Sequence, residues 1–314
     1  MLRKKNLIEK GGSLLALTLL LFAVRTGSYM AAEGAASKNE AWQQELLKER
    51  EQKDIEFKTS AISPMAGSMR LIITAREKTF IAIISGIVSI QSQDGTGTVF
   101  AVSAKDEKWY WHDAAGNVSC RLGERGLLPD VDALAAGSLF KVDRFTLAVY
   151  PGLDTLALIV FDPLRPQLLA FKHLLYFPPA AAYAVKARLE KFPEQREVKI
   201  ITTRKLEKTF YRYGRVHFSL AGRELVLTAL KTSLQGPDAD TLFIPFKDGS
   251  NGRESYEVGR FIDVPAPAGA EFILDFNRCY NPLCNYSPVY NCPLPPLENI
   301  LAVAVAAGEK TYPH

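Results

Sequence analysis

From about residue 70 onward the hydrophobic positions of the chain recur with a period of two. Phe145, Leu147 and Val149 alternate with Thr146 and Ala148, Pro151-Gly152 turns, and Leu156, Leu158 and Val160 resume, which predicts a β-hairpin. Val216, Phe218 and Leu220 face one way, Ala221-Gly222 turns, and Leu225 and Leu227 return as a second hairpin. Asp94-Gly95 is a third hairpin signal. Residues 113–117 turn between the aromatic run Trp109-Tyr110-Trp111 and Val118-Ser119-Cys120. Further strands are predicted over 79–92, 183–190, 197–202, 241–247, 258–264, 271–276 and 300–306. Short alternating runs broken by Gly, Pro and Asp predict a mostly β protein with two β-rich subdomains of sandwich or barrel type. Trp109 and Trp111 share a strand face and are expected in the core; exposed, they would form a stacking platform for a sugar ring.

One segment reads differently. Residues 37–57 are rich in Glu, Gln, Lys, Leu and Arg, and Ser37 with Glu40 makes a capping box. Trp42 and Leu46, at i and i+4, give only a narrow apolar stripe, so the expectation is an N-terminal surface α-helix. No further helix is predicted. Phe177-Pro178-Pro179 marks a break in composition. The expected organisation is a leader over 1–36, helix and linker over 37–64, an N-terminal β subdomain over 65–176 and a C-terminal one over 177–314.

Composition adds the compartment. The chain has 314 residues, 47% hydrophobic and 23% charged, which is ordinary globular usage and excludes wholesale disorder. Arg3, Lys4, Lys5 and Lys10 precede an apolar run from Ser13 to Val24, closed by Arg25. A basic stretch followed by an apolar run of this length is the pattern of a secretory signal peptide, here cleavable after Gly34 or Ala36, or retained as an N-terminal anchor. The expectation is export to the periplasm or beyond, with membrane contact only through an uncleaved leader. The run is too short for a spanning helix of ~18–20 apolar residues, and no other run is longer. Five of the 38 basic and two of the 34 acidic residues fall within residues 1–34, leaving the remainder at a net charge of +1. Such a remainder has no field to recruit nucleic acid.

The C-terminal third carries the most distinctive pattern. It runs LFIPFKDGSNGRESYEVGRFIDV over 242–264, LDFNRCYNPLCNYSPVYNCPLPPLENIL over 274–301, and Ala307-Gly308-Glu309-Lys310. Asp248, Gly252, Tyr256, Gly259, Arg260 and Phe261 form a first block. A second block is built on Asp275-Phe276-Asn277, Tyr280-Asn281-Pro282, Cys284, Cys292-Pro293 and Pro295-Pro296 with Glu298-Asn299. These blocks resemble the bacterial and archaeal family labelled domain of unknown function 1684. Tyr176-Phe177-Pro178-Pro179 with Tyr183 is similar to that family's Phe-Pro turn. Cys279 stands where the family usually has Ala, Leu283 replaces a Pro, and Ser250 and Ser255 replace Thr. In some relatives the preceding segment looks like a forkhead-associated β-sandwich, but residues 70–160 show no clear phosphate-reading set of Arg, Ser and Asn. The resemblance implies a fold and a functional surface, and no reaction.

The residues themselves leave several chemistries open. Asp248, Tyr256, Arg260, Asp275, Asn277, Asn281, Glu298 and Asn299 form the candidate binding set. Carboxylates and amides on one rim suit a hard cation, a sugar or a peptide. Asp275 facing Glu298 would make a hydrolytic pair. Equally, Asp and Asn in Pro-rich turns bond their own backbone, and Arg260 can pair with Asp248 or Asp275. In an exported chain, Cys284 and Cys292 are expected to form a disulfide, with Cys279 free or paired to Cys120. Their spacing is not that of structural zinc and no His lies nearby, so no metal and no cofactor is expected. The four histidines are scattered, and His217 faces away from Val216 and Phe218. No nucleophile elbow or phosphate-cradling Gly loop appears. The expected partner is a small molecule, a carbohydrate or an envelope protein. The leading expectation is a ligand-binding or envelope-associated module; the alternatives are a hydrolase using Asp275 and Glu298, and a structural envelope protein without ligand.

Overall fold

The computed structural model describes residues 39–313 apart from 75–77, 115, 117, 123–126, 129–132 and 153. The leader and Ser37 of the capping box lie outside the described residues. Residues 50–314 form one compact unit. A helix, α1, covers residues 39–59, and most of its positions are exposed.

Three antiparallel sheets follow. The first takes strands β1 (Gly67–Ile73), β6 (Ser119–Leu122), β7 (Leu127–Leu128), β8 (Ser138–Val142), β9 (Phe145–Pro151) and β10 (Leu156–Phe161), in the order β1-β10-β9-β8-β6-β7. The second takes β2 (Thr79–Ile84), β3 (Ile87–Gln91), β4 (Thr98–Lys105) and β5 (Lys108–Asp113), in the order β3-β2-β4-β5. The third takes β11 (Ala184–Lys191), β12 (Glu197–Ile201), β13 (Glu207–Leu220), β14 (Arg223–Lys231), β15 (Thr241–Phe246), β16 (Arg260–Pro265) and β17 (Glu271–Asp275). Its order is β16-β15-β14-β13-β11-β17, with β12 pairing the first half of β13.

The first two sheets close a sandwich. Phe100 of β4 stacks on Phe140 of β8 at 4.2 Å between ring centroids, and Trp111 meets the same ring edge-on at 5.4 Å. Trp109 and Trp111 are both buried, so the aromatic run serves the core. All six residues of β10 are buried, which a two-sided environment explains. Leu156, Leu158 and Val160 enter the sandwich core, whereas Ile159 and Phe161 enter a second core on the far side. That second core is completed by Phe210, Leu230, Phe243 and Phe261 of the third sheet and by Tyr286, Val289, Tyr290 and Cys292 of the proline-rich segment. The other face of the third sheet holds a third core with Val216, Phe218, Leu242, Ile244 and Phe246.

One bulge lets β13 serve two cores. The register slips between Arg212 and Gly214, so Phe210 enters the second core while Val216 and Phe218, at the same parity, enter the third. Gly214 sits at the bend, where an added Cβ would lie 2.5 Å from the Glu190 carbonyl oxygen.

The predicted hairpins at 151–152 and 221–222 form as β9–β10 and β13–β14. Other expectations need correction. The 79–92 run is two strands, folded at Ser85-Gly86, both with positive φ, as a two-residue hairpin turn requires. Asp94-Gly95 is not a hairpin turn, because β2 lies between β3 and β4 in the sheet. Residues 300–306 are not a strand: the backbone groups of Leu301 and Val303 bond to Lys247 and Gly249, and the Val305 N–H goes to the Asp248 side chain.

Gly214→Ala is expected to lower stability by roughly 1–3 kcal/mol, the usual cost of crowding a packed site. A lowered urea midpoint at unchanged slope measures it.

Candidate functional site

The third sheet's ends and the segments that join them place the candidate residues. Arg260 opens β16 and is fully buried. Its Nη2 donates to Asp248 Oδ2 at 2.6 Å, to the Val305 carbonyl at 2.8 Å and to Ser250 Oγ at 3.2 Å. Its Nη1 donates to the carbonyls of Ala307 and Glu309. Burial works against the charge, but Cys279, Asp248 and Glu309 outweigh it and hold the guanidinium above its ordinary pKa. Asp248 Oδ1 accepts from the N–H groups of Ser250 at 2.8 Å and Val305 at 3.0 Å.

Asn277 and Asn299 are fully committed, whereas Asn281 is committed through its NH2 alone and its Oδ1 is buried without a partner. Asn277 exchanges two hydrogen bonds of 2.9 Å with the backbone of Ala180. Asn281 donates to the Lys310 carbonyl at 2.7 Å. Asn299 accepts from the Thr228 N–H at 2.7 Å and donates to the carbonyls of Thr228 and Pro245. Tyr256 is half-buried, and its hydroxyl donates to the Cys284 carbonyl at 3.4 Å and lies 3.7 Å from Cys284 Sγ.

Asp275 and Glu298 are committed to separate partners. Asp275 caps the turn at 276–278, accepting from the Asn277 N–H at 3.0 Å, and pairs with Arg278 at 2.5 Å. Glu298, half-exposed, pairs with Arg212 of β13 at 2.7 Å.

Sequence reasoning missed the buried carboxylate of Glu309, although its motif was on the page. Glu309 accepts from Lys53 Nζ at 2.5 Å, from Tyr286 Oη at 2.5 Å and from the Asn281 N–H at 2.8 Å. The preceding Gly308 has φ +73°, and an added Cβ would strike Cys279 Sγ and lie 2.6 Å from the Cys279 carbonyl oxygen. The motif is therefore fixed by packing: glycine for the close approach, glutamate for the buried donors.

All four cysteines are free thiols, so the expected Cys284–Cys292 disulfide is not formed. The two nevertheless meet, with the Cys284 N–H donating to Cys292 Sγ at 3.3 Å. A hydrogen bond from Cys292, joined by the Tyr256 hydroxyl, pulls the Cys284 thiol below its ordinary pKa, while the same bond and burial push Cys292 up. Burial pushes Cys120 up to about 12 and Cys279 up to about 11. Those two lie in different cores and do not pair. Among the described residues no group of three or more His, Cys, Asp and Glu side chains converges.

A cavity of about 380 Å³ lies between Lys58–Ala61 and Lys141, Arg144 and Leu168, and beside the proline-rich segment lies a groove of about 280 Å³. Val198, Ile200 and Leu230 line it from the sheet, Leu294–Leu297 form the opposite wall, and the Arg212–Glu298 pair sits at its rim. The Leu294 N–H donates to the Ile201 carbonyl at 2.9 Å, which holds the two walls in register.

Fold and site together define a mostly β protein whose C-terminal polar signature is bonded within the structure. The chain belongs to the family described as a protein of unknown function, DUF1684, whose sequence profile matches residues 169–310. It is similar to an uncharacterised protein from gene locus rrnAC0354 of Haloarcula marismortui, solved in solution by NMR. The identity is 34%, covering 48% of this chain and 83% of that one, with a TM-score of 0.40. A search of curated proteins finds no match.

Two outcomes follow from the bonding. Asp248→Asn is expected to cost about 3–5 kcal/mol in urea unfolding, because it strands a buried guanidinium, while Glu298→Gln stays within about 1 kcal/mol. Alkylation at pH 8 followed by mass spectrometry is expected to modify Cys284 first, and Cys120 and Cys279 only after denaturation.

Proposed function

We propose that the protein is an exported, non-catalytic binding module of the cell envelope, and that it holds an extended apolar peptide of an envelope partner in the groove beside the proline-rich segment. The leader pattern and the near-neutral remainder of the chain support export.

The observation that carries the reading is the groove itself. One wall is the strand 198–201 and the other runs from Leu294 to Pro296 into a short turn at Leu297–Asn299, and the lining is mostly aliphatic side chains and prolines, with Lys199, Arg212 and Glu298 among them. A sugar would need aromatic faces and free amides; the groove has no aromatic lining, and the nearby amide of Asn299 is spent on backbone. About 280 Å³ is just below the ~300–1,000 Å³ that encloses a whole small molecule, and suits one or two apolar side chains of a longer ligand. Leu297, 86% exposed, stands beside the opening as a contact for such a chain. A hydrolase needs two carboxylates roughly 5–9.5 Å apart and free to act; Asp275 and Glu298 instead hold Arg278 and Arg212.

Panning a displayed random-peptide library on the purified full chain tests the reading. Enrichment of peptides with apolar residues at alternating positions is expected, with affinity reduced at least tenfold by Leu297→Asp. Failure to enrich any peptide, or affinity unmoved by that substitution, overturns the groove and leaves a structural envelope protein. Recovery of the chain from the cytoplasmic fraction with its leader intact overturns export.

A further inference from the structure

Away from the groove, the larger cavity, of about 380 Å³, lies where one face of the first sheet turns from apolar to polar. Lys141 on β8 stands opposite Thr146 on β9, and Thr146 stands opposite Phe161 on β10. Directly opposed residues share a face, and Phe161 belongs to the second core, so Lys141 and Thr146 lie on the face turned toward that core. Two residues along the same strands and on the same face, Leu139 and Ala148 pack into it. A lysine and a threonine end this apolar face, and both line the cavity.

Three cations line the cavity and, among the described residues, no carboxylate does. Two of the three are engaged. Arg144 is clamped by Asp162, its Nε donating to Oδ1 at 3.1 Å and its Nη2 to Oδ2 at 3.2 Å. Lys58, in the last turn of α1, donates to the Phe171 carbonyl at 2.7 Å, which places its ammonium without neutralising it. Lys141 differs: among the described residues no carboxylate or carbonyl bonds its ammonium. The Thr146 hydroxyl likewise has no partner among the described residues, although Thr146 is only 5% exposed. A hydroxyl on so buried a residue is ordinarily bonded. Set beside an unpaired ammonium on the lining of a cavity, it marks a place for an acceptor that the chain does not supply. Ala66, Pro163, Leu168 and Leu169 contribute apolar walls.

We propose that this cavity binds a small aliphatic carboxylate, with Lys141 and Thr146 donating to the carboxylate oxygens and the apolar walls packing against the hydrocarbon chain. The volume falls within the ~300–1,000 Å³ of sites that enclose a whole small molecule. An ammonium and a hydroxyl side by side on one face match the two acceptor oxygens of one carboxylate. Lys58 and Arg144, already held by other groups, add positive potential that repels a cationic ligand. A mostly apolar lining disfavours inorganic phosphate, whose lost hydration it would not replace. The cavity shares no lining residue with the peptide groove, so the site stands independently of that reading.

Calorimetric titration of the full chain with sodium hexanoate, 1-hexanol, hexylammonium chloride and sodium phosphate, at ionic strength matched by sodium chloride, tests the site. Saturable binding of hexanoate is expected, at least tenfold tighter than that of hexanol or phosphate, with no binding of hexylammonium. Lys141→Gln is expected to weaken hexanoate at least tenfold and Thr146→Val at least threefold, whereas Lys186→Gln, on β11 and outside the cavity, leaves it unchanged. Without ligand, Lys141→Gln and Thr146→Val are expected to melt no lower than the unsubstituted chain, since neither side chain has a polar partner to lose. Absence of saturable hexanoate binding overturns the proposal. So does an equal affinity for hexanol, tighter binding of phosphate than of hexanoate, or a hexanoate affinity that Lys141→Gln leaves unmoved. Lys141 is exposed, so its variant reads out the site even if Thr146→Val disturbs the packing of β9.

Discussion

The charge of Arg260 must be satisfied without water, and that requirement shapes the C-terminal half of the protein. Removing a guanidinium from water costs several kcal/mol unless an opposite charge and further acceptors receive it. Asp248 supplies the charge, and the carbonyls of Val305, Ala307 and Glu309 supply acceptors. In an extended chain, carbonyls two residues apart point the same way. The tail therefore runs extended past Arg260 from Val305 to Ala307, and a left-handed bend at Gly308 then turns the Glu309 carbonyl back to Arg260 and its carboxylate to the buried donors of Lys53 and Tyr286. Gly308 is the residue between, where the backbone passes so close to Cys279 that no side chain fits.

The same bookkeeping of polar groups joins the proline-rich segment to the sheets. Phe177 donates its N–H to Gly308, and Lys310 to Leu175, so the Phe-Pro turn and the tail hold each other. Asn277 closes the turn onto Ala180, and Asn299 closes the loop onto β14 and β15. Between these ties lie Tyr286, Val289, Tyr290 and Cys292, which fill the core shared with Ile159 and Phe161 of the first sheet. The polar residues fix where the loop runs; the apolar ones within it are then buried on both sides.

This division explains what the sequence made legible. β9, β13 and β14 were readable because their larger apolar side chains alternate, even though β9 is buried on both faces, and their hairpin turns were readable too. The family resemblance was readable from its spacing alone. Residues 300–306 were not, because a period of two reports an extended chain and not a paired one: Val305 gives its N–H to a side chain and its carbonyl to Arg260. The hairpin order at 79–105 was hidden because β4 pairs with β2 and not with its sequence neighbour β3, a choice made across the sheet. Among candidate residues, the types were informative and the roles were not. Asn277 and Asn299 look alike in sequence whether they face a ligand or a backbone carbonyl.

Apart from the Arg260 Nε and the Asn281 Oδ1, the polar groups of Arg260, Asp248, Asn277, Asn281, Asn299 and Glu309 are bonded within the protein itself, so most of the signature that marks the family is architecture. Binding chemistry then belongs where the architecture presents groups it does not consume. The proline-rich segment does this. Its end, Leu294–Glu298, stands up as the aliphatic wall of the groove, held by the Leu294 bond to β12. Its middle, Pro288 to Tyr290, accepts from Arg204 through the carbonyls of Pro288 and Tyr290 and so ties the loop to the turn after β12. Prolines at 288, 293, 295 and 296 restrict the loop before it folds, so little further entropy is lost in holding the groove wall ready. A loop made rigid by its prolines and placed by buried polar ties is how this fold presents an apolar wall to solvent without letting it collapse into the core.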